Sequence, residues 1–584
     1  LDHAICQDRI YTGMYDRVQT LMRSHIPGAR AGSSTTGTTD QWLFARRQGL
    51  AGLFVSIRYR YEEMSFRPDD QLLGGWFHPG YGYKYLKDEA GTHYWGWDQI
   101  LHGASAIFTW IGQFGFSYPM MRGDVTADDI LLNAARMVED IRGGYGRLLL
   151  GAKRRAGDYA MYYSPRSNMM DEVIARLGKP WQVKRTSRWT PPYDADQMFR
   201  FPRVVADSEV MMGYLKKQPP KILYLPLTRC LSNREIDEIK RYVREGGILL
   251  ADSDSGIRDE HGVPRNEWSL GEIFGLKRKK GAAPDVAKWG PLPVRSVGKV
   301  SGLDFSDLEI QIVPKPKGAG QLPVVAGRDV EPAGAQPLFS VAGVPAGFVH
   351  SYGKGLALYF NFDPCRLRFV PQDENEPNPH QIILDRIFKA RNIRRGYKIK
   401  WDTGRPIMVG RPAFHLAEFM DSTGRYLGFI RSGQGRLSEQ PMEKVELTLD
   451  EPAFVYQARD ARLLGSGKEF DLTFPRGIAH FFSLLPYKVN SVEVTATTAA
   501  RGGKAKVQAK LNVEGTQPRR HVLAMRTYQP NGKEARWFRQ NVDASNGSFE
   551  LELPIALNAA TGEWKVSVRD VATGIKGDTV IRIK

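Results

Sequence analysis

Residues 221–256, KILYLPLTRCLSNREIDEIKRYVREGGILLADSDSG, place a strand, a capped helix and a second strand in immediate succession. Ser232 and Glu235 stand three apart at the head of the helix, where a serine hydroxyl and a glutamate carboxylate satisfy amides that have no partner within it. The helical pattern runs to Gly246 and Gly247, residues that end helices, and ILLAD is apolar without alternation, as a strand covered on both faces must be. Two strands joined in this way lie parallel in one sheet. The same grammar holds upstream, where DYAMYYSPRS reads as a strand and polar turn and SEVMMGYLKKQ as a helix leading into KILYLPL. A doubly wound α/β domain is therefore expected over about 145–395.

Before it, helical and strand patterns alternate with aromatic, glycine-rich loops. MYDRVQTLMRSHIPG reads as an amphipathic helix stopped by Pro27 and Gly28, ARAGSSTTG as a short strand, and TDQWLFARRQGL as a helix. AGLFVSIRYRYEE and QLLGGWF read as strands, and HYWGWDQILHGASAIFTWIG as a helix running into a buried strand. An unbroken series of strand–helix units suggests part of a barrel. From 396 the pattern becomes β: FHLAEFMD, RYLGFIRS and KVELTLD alternate between turn residues, as a sandwich requires. The segment 488–584 has the strand spacing and the tryptophan, Trp564, of an immunoglobulin-like module.

Composition excludes some classes. With 42% apolar and 25% charged residues over 584 positions, the chain buries large cores and divides into several domains. Lys and Arg number 82 against 64 Asp and Glu, a net charge of +18, yet the basic residues are scattered and no nucleic-acid motif accompanies them. No apolar run approaches the length that crosses a bilayer. No glycine-rich dinucleotide fingerprint or phosphate loop is present, and Cys6, Cys230 and Cys365 lie too far apart for a metal-ligand spacing, so no cofactor and no metal are expected. Cys230, between a strand and a helix, reads as structural; Asp252 and Asp254 read as solvated turn carboxylates.

The series YDRVQTLMRSHIPGARAGSSTTG, LFVSIRYRY, GGWFHPGYG and WGWDQILHGASAIFTW resembles the second half of the (β/α)8 barrel of family 42 β-galactosidases. YYSPRS, the 221–256 segment and YGKGLALYFNFD resemble that family's trimerisation domain, which has a flavodoxin-like, class I glutamine amidotransferase-like fold. The fold class implied is multidomain α/β plus all-β. It comprises a partial (β/α)8 barrel over 1–122, the trimerisation domain over 123–395, a β-sandwich over 396–487 and an immunoglobulin-like sandwich over 488–584. The family consists of retaining glycosidases, which use two carboxyl groups about 5 Å apart. The resemblance puts the general acid on a strand earlier than any in these residues, and the nucleophile near Gly75 or Trp76, where there is no carboxylate.

Substitute carboxylates are Glu62 and Glu63, which follow a barrel strand whose carboxyl end faces the active site. Trp76, His78, Tyr81, Tyr83, Trp95 and Trp97 crowd one loop region, where flat rings offer faces to the C–H side of a sugar and polar atoms beside them. Trp110 and Gln113 resemble the floor of the family's galactose pocket; Asp98 and His102 read as structural. The resemblance further implies a carbohydrate ligand, a homotrimer or other homo-oligomer, and secretion to a periplasm or cell surface. An open half barrel also calls for something to complete it, such as a further chain. The other reading is a non-catalytic carbohydrate-binding or structural protein descended from a glycosidase.

Overall fold

The computed structural model describes residues 1–35, 41–46, 50–53, 71–77, 88–109, 129–155, 158–177, 203–252, 254–279, 286–288, 292–296, 299–304, 310–312, 324–326, 329–341, 344–361, 386–393, 396–401 and 414–584. They form two compact units, one built from Leu1–Trp76, Ala156–Arg395 and Arg405–Pro412, the other from Phe77–Arg155, Gly396–Gly404 and Ala413–Lys584.

The first unit opens with helix α1 (Asp2–His25), which starts well before the stretch MYDRVQTL and stops ahead of Pro27. Strand β1 (Gly32–Thr35), helix α2 (Gln41–Arg46) and strands β2 (Leu50–Leu53) and β3 (Leu72–Phe77) come next. All three strands run parallel, Gly32 pairing with Leu50 and Leu50 with Leu72. In α1 the polarity is inverted: Thr12 and Gln19 are buried, while Ile10, Met14, Val18 and Leu21 face solvent. Gln19 explains its own burial, because its Nε2 donates to the Ala29 carbonyl at 2.8 Å and its Oε1 accepts from the Ala31 amide, holding the turn into β1.

The chain then passes through elements of the second unit: α3 (Glu89–Leu101), β4 (Ala106–Thr109), α4 (Asp129–Asp140), a π-turn over Ile141–Tyr145, α5 (Gly146–Gly151) and β5 (Lys153–Arg154). It returns to the first unit with β6 (Tyr159–Tyr163), α6 (Pro165–Leu177), β7 (Arg203–Ala206), β8 (Ile222–Leu225), α7 (Asn233–Arg244) and β9 (Ile248–Asp252). Strands β10 (Gln336–Val341), β11 (Val344–Tyr352) and β12 (Gly355–Phe360) extend its main sheet, which ends beyond β10 in two further antiparallel strands, Leu292–Ser296 and Ile310–Ile312. Five neighbours, β12-β9-β8-β6-β7, are parallel; β10 and β11 continue the sheet antiparallel. This is a doubly wound order, with β7 and β8 on opposite sides of β6. Residues 164–167, expected as a polar turn, instead begin α6. Pro165 is its first residue, a place where the missing amide costs nothing, and Ser164 Oγ accepts the Ser167 amide at 3.1 Å.

The capping box forms as expected: Ser232 Oγ accepts from the Glu235 amide and a Glu235 carboxylate oxygen accepts the Ser232 amide at 2.7 Å. One face of α7, Ile236, Ile239, Tyr242 and Val243, enters the core with β8 and β9. Gly247 has to be glycine, since a Cβ there would overlap the Tyr242 ring, whose hydroxyl donates to the Pro220 and Ile248 carbonyls.

The rest of the second unit is β. Strands β13 (Phe414–Met420), β14 (Arg425–Arg431), β15 (Met442–Gln457), β16 (Arg462–Pro475) and β17 (His480–Leu485) form an antiparallel sheet in the order β15-β17-β14-β13-β5, with β16 and the strand Tyr397–Trp401 on β15. Two further antiparallel sheets complete the unit. One is β18 (Lys488–Ala496), β19 (Lys504–Glu514) and β22 (Ser548–Pro554); the other is β21 (Gln540–Ala544), β20 (His521–Tyr528), β23 (Gly562–Asp570) and β24 (Lys576–Ile583). They share one core, to which β19 gives alternate residues Ala505, Val507, Ala509 and Leu511 and β23 gives Trp564, Val566 and Val568. The helices α3, α4 and α5 belong to this second unit: the Ala90 amide donates to the Gly435 carbonyl, and Leu101 packs at Gly428.

Candidate functional site

In a sheet of parallel strands the carboxyl ends lie on one side, where ligands bind. Leu53 pairs with Gly75, the last step of the β2–β3 ladder, so Trp76 stands just past it at that end. No carboxylate occupies this position, since β3 reads Leu72-Leu73-Gly74-Gly75-Trp76-Phe77. Only the backbone of Trp76 is described. Glu62, Glu63, His78, Tyr81, Tyr83, Trp110 and Gln113 lie outside the described residues.

Trp95 and Trp97 are described in full, and both are enclosed by protein. Trp95 sits among Ile130 and Ala134 of α4. Trp97, at 0% exposure, donates its indole N–H to Asp140 Oδ2 at 2.8 Å and packs on Tyr145 and Phe481. Arg459 closes this cluster: its guanidinium donates to both oxygens of Asp140, at 2.7 and 2.8 Å, and covers the faces of Trp97 and Tyr145. The two rings accordingly join α3 to α4 and to the β-sheet of the same unit. Burial alone raises the Asp140 carboxyl, but the charge and hydrogen bonds of Arg459, with the Trp97 indole, more than offset it and hold the carboxyl below its ordinary value.

His93 and His480 are both buried, and neither ring nitrogen of either side chain has a hydrogen-bond partner among the described residues. Burial drives His480 down to about 3, with the Arg459 charge acting in the same direction. It lowers His93 as well. Burial thus favours the neutral ring at both positions, and no sequence pattern marks them. Asp98 is buried within α3 and His102 just past its C-terminal end, His102 Nδ1 lying 2.7 Å from the Asp98 carbonyl oxygen.

The carboxyl end of the doubly wound sheet carries a second polar cluster. Asp252 is not solvated, as the sequence led us to expect, but wholly buried: it accepts from the Tyr224 hydroxyl at 2.8 Å and from the Leu227 amide at 2.6 Å. That amide belongs to a residue with φ of 41°, so the carboxylate secures a strained turn after β8. The strained residue is an apolar leucine and presents no nucleophile. Asp254 is ion-paired with Arg229 at 2.7 Å and Arg278 at 3.4 Å. Cys230 is 1% exposed and its amide donates to Ser167 Oγ at 3.0 Å, tying β8 to α6. Beside it Arg166 lies 2.9 Å from Asp207 and 3.7 Å from Glu235, and Glu235 accepts from the Tyr162 hydroxyl. Among the described residues no group of three or more His, Cys, Asp or Glu side chains is placed to hold a metal ion.

These strands, helices and sheets match those of known enzymes. The β-galactosidase Gan42B of family GH42 superimposes with a TM-score of 0.59 at 14% identity, over 82% of this chain and 68% of that one; a catalytic mutant of it, from G. stearothermophilus, gives 0.58, 14%, 81% and 66%. A cold-adapted β-galactosidase from Rahnella gives 0.59, 14%, 82% and 68%, and one from Bacillus circulans sp. alkalophilus 0.52, 9%, 83% and 76%. The chain has a GH42-like fold. It spans about two thirds of the length of the first of these enzymes. No family profile and no curated protein matches the sequence. No helix among the described residues is long and apolar enough to cross a membrane.

Proposed function

We propose that this protein is a glycoside hydrolase-like protein that acts on or binds glycans of the β-galactoside type, working in a periplasm or on a cell surface. The observation that carries this reading is the likeness to β-galactosidases along more than four fifths of the chain. In this reading the parallel strands β1, β2 and β3 with β4 are the second half of a (β/α)8 barrel, and the sugar meets Trp76, His78, Tyr81, Tyr83, Trp110 and Gln113 at its carboxyl end. Glu62 and Glu63 are the carboxylates proposed for the chemistry. The doubly wound region is then a class I glutamine amidotransferase-like trimerisation domain and residues 488–584 an immunoglobulin-like module. The exposed apolar side of α1 fits a chain that is completed by further barrel elements or by another subunit, since solvent-facing Ile10, Met14, Val18 and Leu21 are otherwise uncovered.

The test is hydrolysis of an aryl β-galactoside by the purified chain, with Glu62→Gln and Glu63→Gln alongside. Loss of one catalytic carboxyl is expected to lower the rate about 10²–10⁴-fold, leaving the melting temperature unchanged. Gly75 at the position of the resemblance's nucleophile favours a second reading, a non-catalytic carbohydrate-binding protein. Galactoside binding without turnover, abolished by Trp76→Ala, would establish that second reading; absence of both binding and turnover would sink the two together.

A further inference from the structure

Trp42, Trp95, Trp97 and Trp564 are buried, whereas Trp537 is 66% exposed. It is displayed by a single tight turn, Arg536–Phe538, in the module formed by 488–584. The turn is fixed on both sides. Before it, the Ala535 amide donates to the Thr527 carbonyl at 2.8 Å and Ala535 is buried. After it, Phe538 enters the core against Trp564, with ring centroids 6.3 Å apart, and its amide donates to the Ala535 carbonyl at 2.9 Å. Arg539 is locked to Glu534 by two hydrogen bonds of 3.0 and 2.7 Å. With Ala535 and Phe538 both committed inward, Arg536 and Trp537 between them face outward, and the Trp537 indole rests beside the Phe538 ring, centroids 6.0 Å apart, with most of its surface in water.

The surroundings decide what such a ring suits. Lys533, Arg536 and Gln540 are exposed next to it in sequence, and Glu534 and Arg539 are half-buried. A protein–protein interface centres on a contiguous apolar patch, and none adjoins this ring in sequence. A flat apolar ring whose neighbours along the chain are hydrogen-bonding side chains matches a pyranose, which has a C–H face and a rim of hydroxyls. We propose that Trp537 is a stacking platform for a polysaccharide, separate from the barrel and serving to hold the polymer on the β module. The proposal rests on the carbohydrate reading of the chain, and the rigid turn lowers the ordering cost that weakens such shallow sites.

Native electrophoresis in gels containing soluble β-galactan, arabinogalactan or polygalacturonate tests it on the intact chain. At least one polymer is expected to retard the protein, and Trp537→Ala to raise the apparent Kd tenfold or more with an unchanged melting temperature. Trp537→Phe, which keeps a flat ring, retains most of the retardation. No retardation by any of the three polymers overturns the proposal, as does retardation that Trp537→Ala leaves intact. If retardation survives Trp537→Ala but is lost in Trp76→Ala, the platform is refuted while the barrel reading stands. A fall in sedimenting mass or in binding to phosphatidylglycerol vesicles on Trp537→Ala, without any change in polymer binding, likewise overturns it and assigns the ring to self-association or to a lipid surface.

Discussion

Asp140 and Arg459 carry the largest single-residue consequences in the second unit. Replacing Arg459 with leucine leaves the largely enclosed Asp140 charge with the Trp97 indole as its one side-chain donor among the described residues. Removing one partner of a buried pair costs about 3–5 kcal/mol, so the urea midpoint of this unit is expected to fall by that equivalent. A loss below about 1 kcal/mol would mean that water reaches the carboxylate. The two histidines set the pH response. His480 has its folded-state value pushed below that of an unfolded chain, down to about 3, by burial and by Arg459. The unfolded chain therefore binds a proton that the folded chain refuses, and stability contributed by the neutral ring is complete above about pH 6.5 and is lost as pH falls toward 3. His93 acts in the same direction. Asp140, held low, adds a loss only below the ordinary carboxylate range. His480→Leu is accordingly expected to flatten the dependence of the urea midpoint on pH between about 4 and 6.5, and an unaltered slope would show that the ring is protonated in the fold.

At the scale of elements, the π-turn between α4 and α5 is the most demanding piece of backbone. Gly144 adopts φ of 131° and ψ of −33°, and a Cβ there would overlap Val571. Gly144→Ala is expected to cost about 1–3 kcal/mol from the backbone alone, more with the overlap, read as a lowered melting temperature and faster amide exchange in 141–149. Amide exchange at the wild-type rate would show that the turn relaxes around the methyl. How far such elements could be seen in advance depends on where their causes lie. The cap at Ser232 and Glu235, the glycines after α7 and the apolar run of β9 are local causes, and they were legible. Ser164-Pro165 was equally local, a cap and a first-turn proline, yet the same pair also fits a turn, and only the helical course of the residues after Pro165 separates the two. The start of α1 at Asp2 was hidden because its buried side is polar, Thr12 and Gln19, and its apolar side faces out. The enclosure of Trp97 was hidden for another reason: its partner Arg459 acts through Asp140, 319 residues away in sequence. Aromatic crowding in the sequence looks the same whether the rings line a cleft or fill a seam.

For the whole molecule the consequence is two separately cored units made from interleaved stretches of chain. The first unit has a core of β6, β8, β9 and α7; the second has one core on the sheet of β13 to β17 and another between its two further sheets. Each holds its own buried ion pairs, Arg166 with Asp207 in the first and Arg459 with Asp140 in the second. Units with separate cores unfold as separate cooperative blocks unless a large apolar interface couples them. Calorimetry of the intact chain is therefore expected to resolve two transitions. Arg166→Leu, which strands the buried carboxylates of Asp207 and Glu235, should lower one of them, and Arg459→Leu the other. Each variant is expected to lower its own transition by a few degrees, since about 3 kcal/mol moves a domain of 150–250 residues by roughly 6–12 °C and these larger units by less. A single transition displaced equally by both substitutions would falsify this division and make the chain one cooperative block. In that case a defect beside β6 would destabilise the module that carries Trp537, and the two proposed sugar sites, at the barrel strands and at Trp537, would be lost together on heating rather than one after the other.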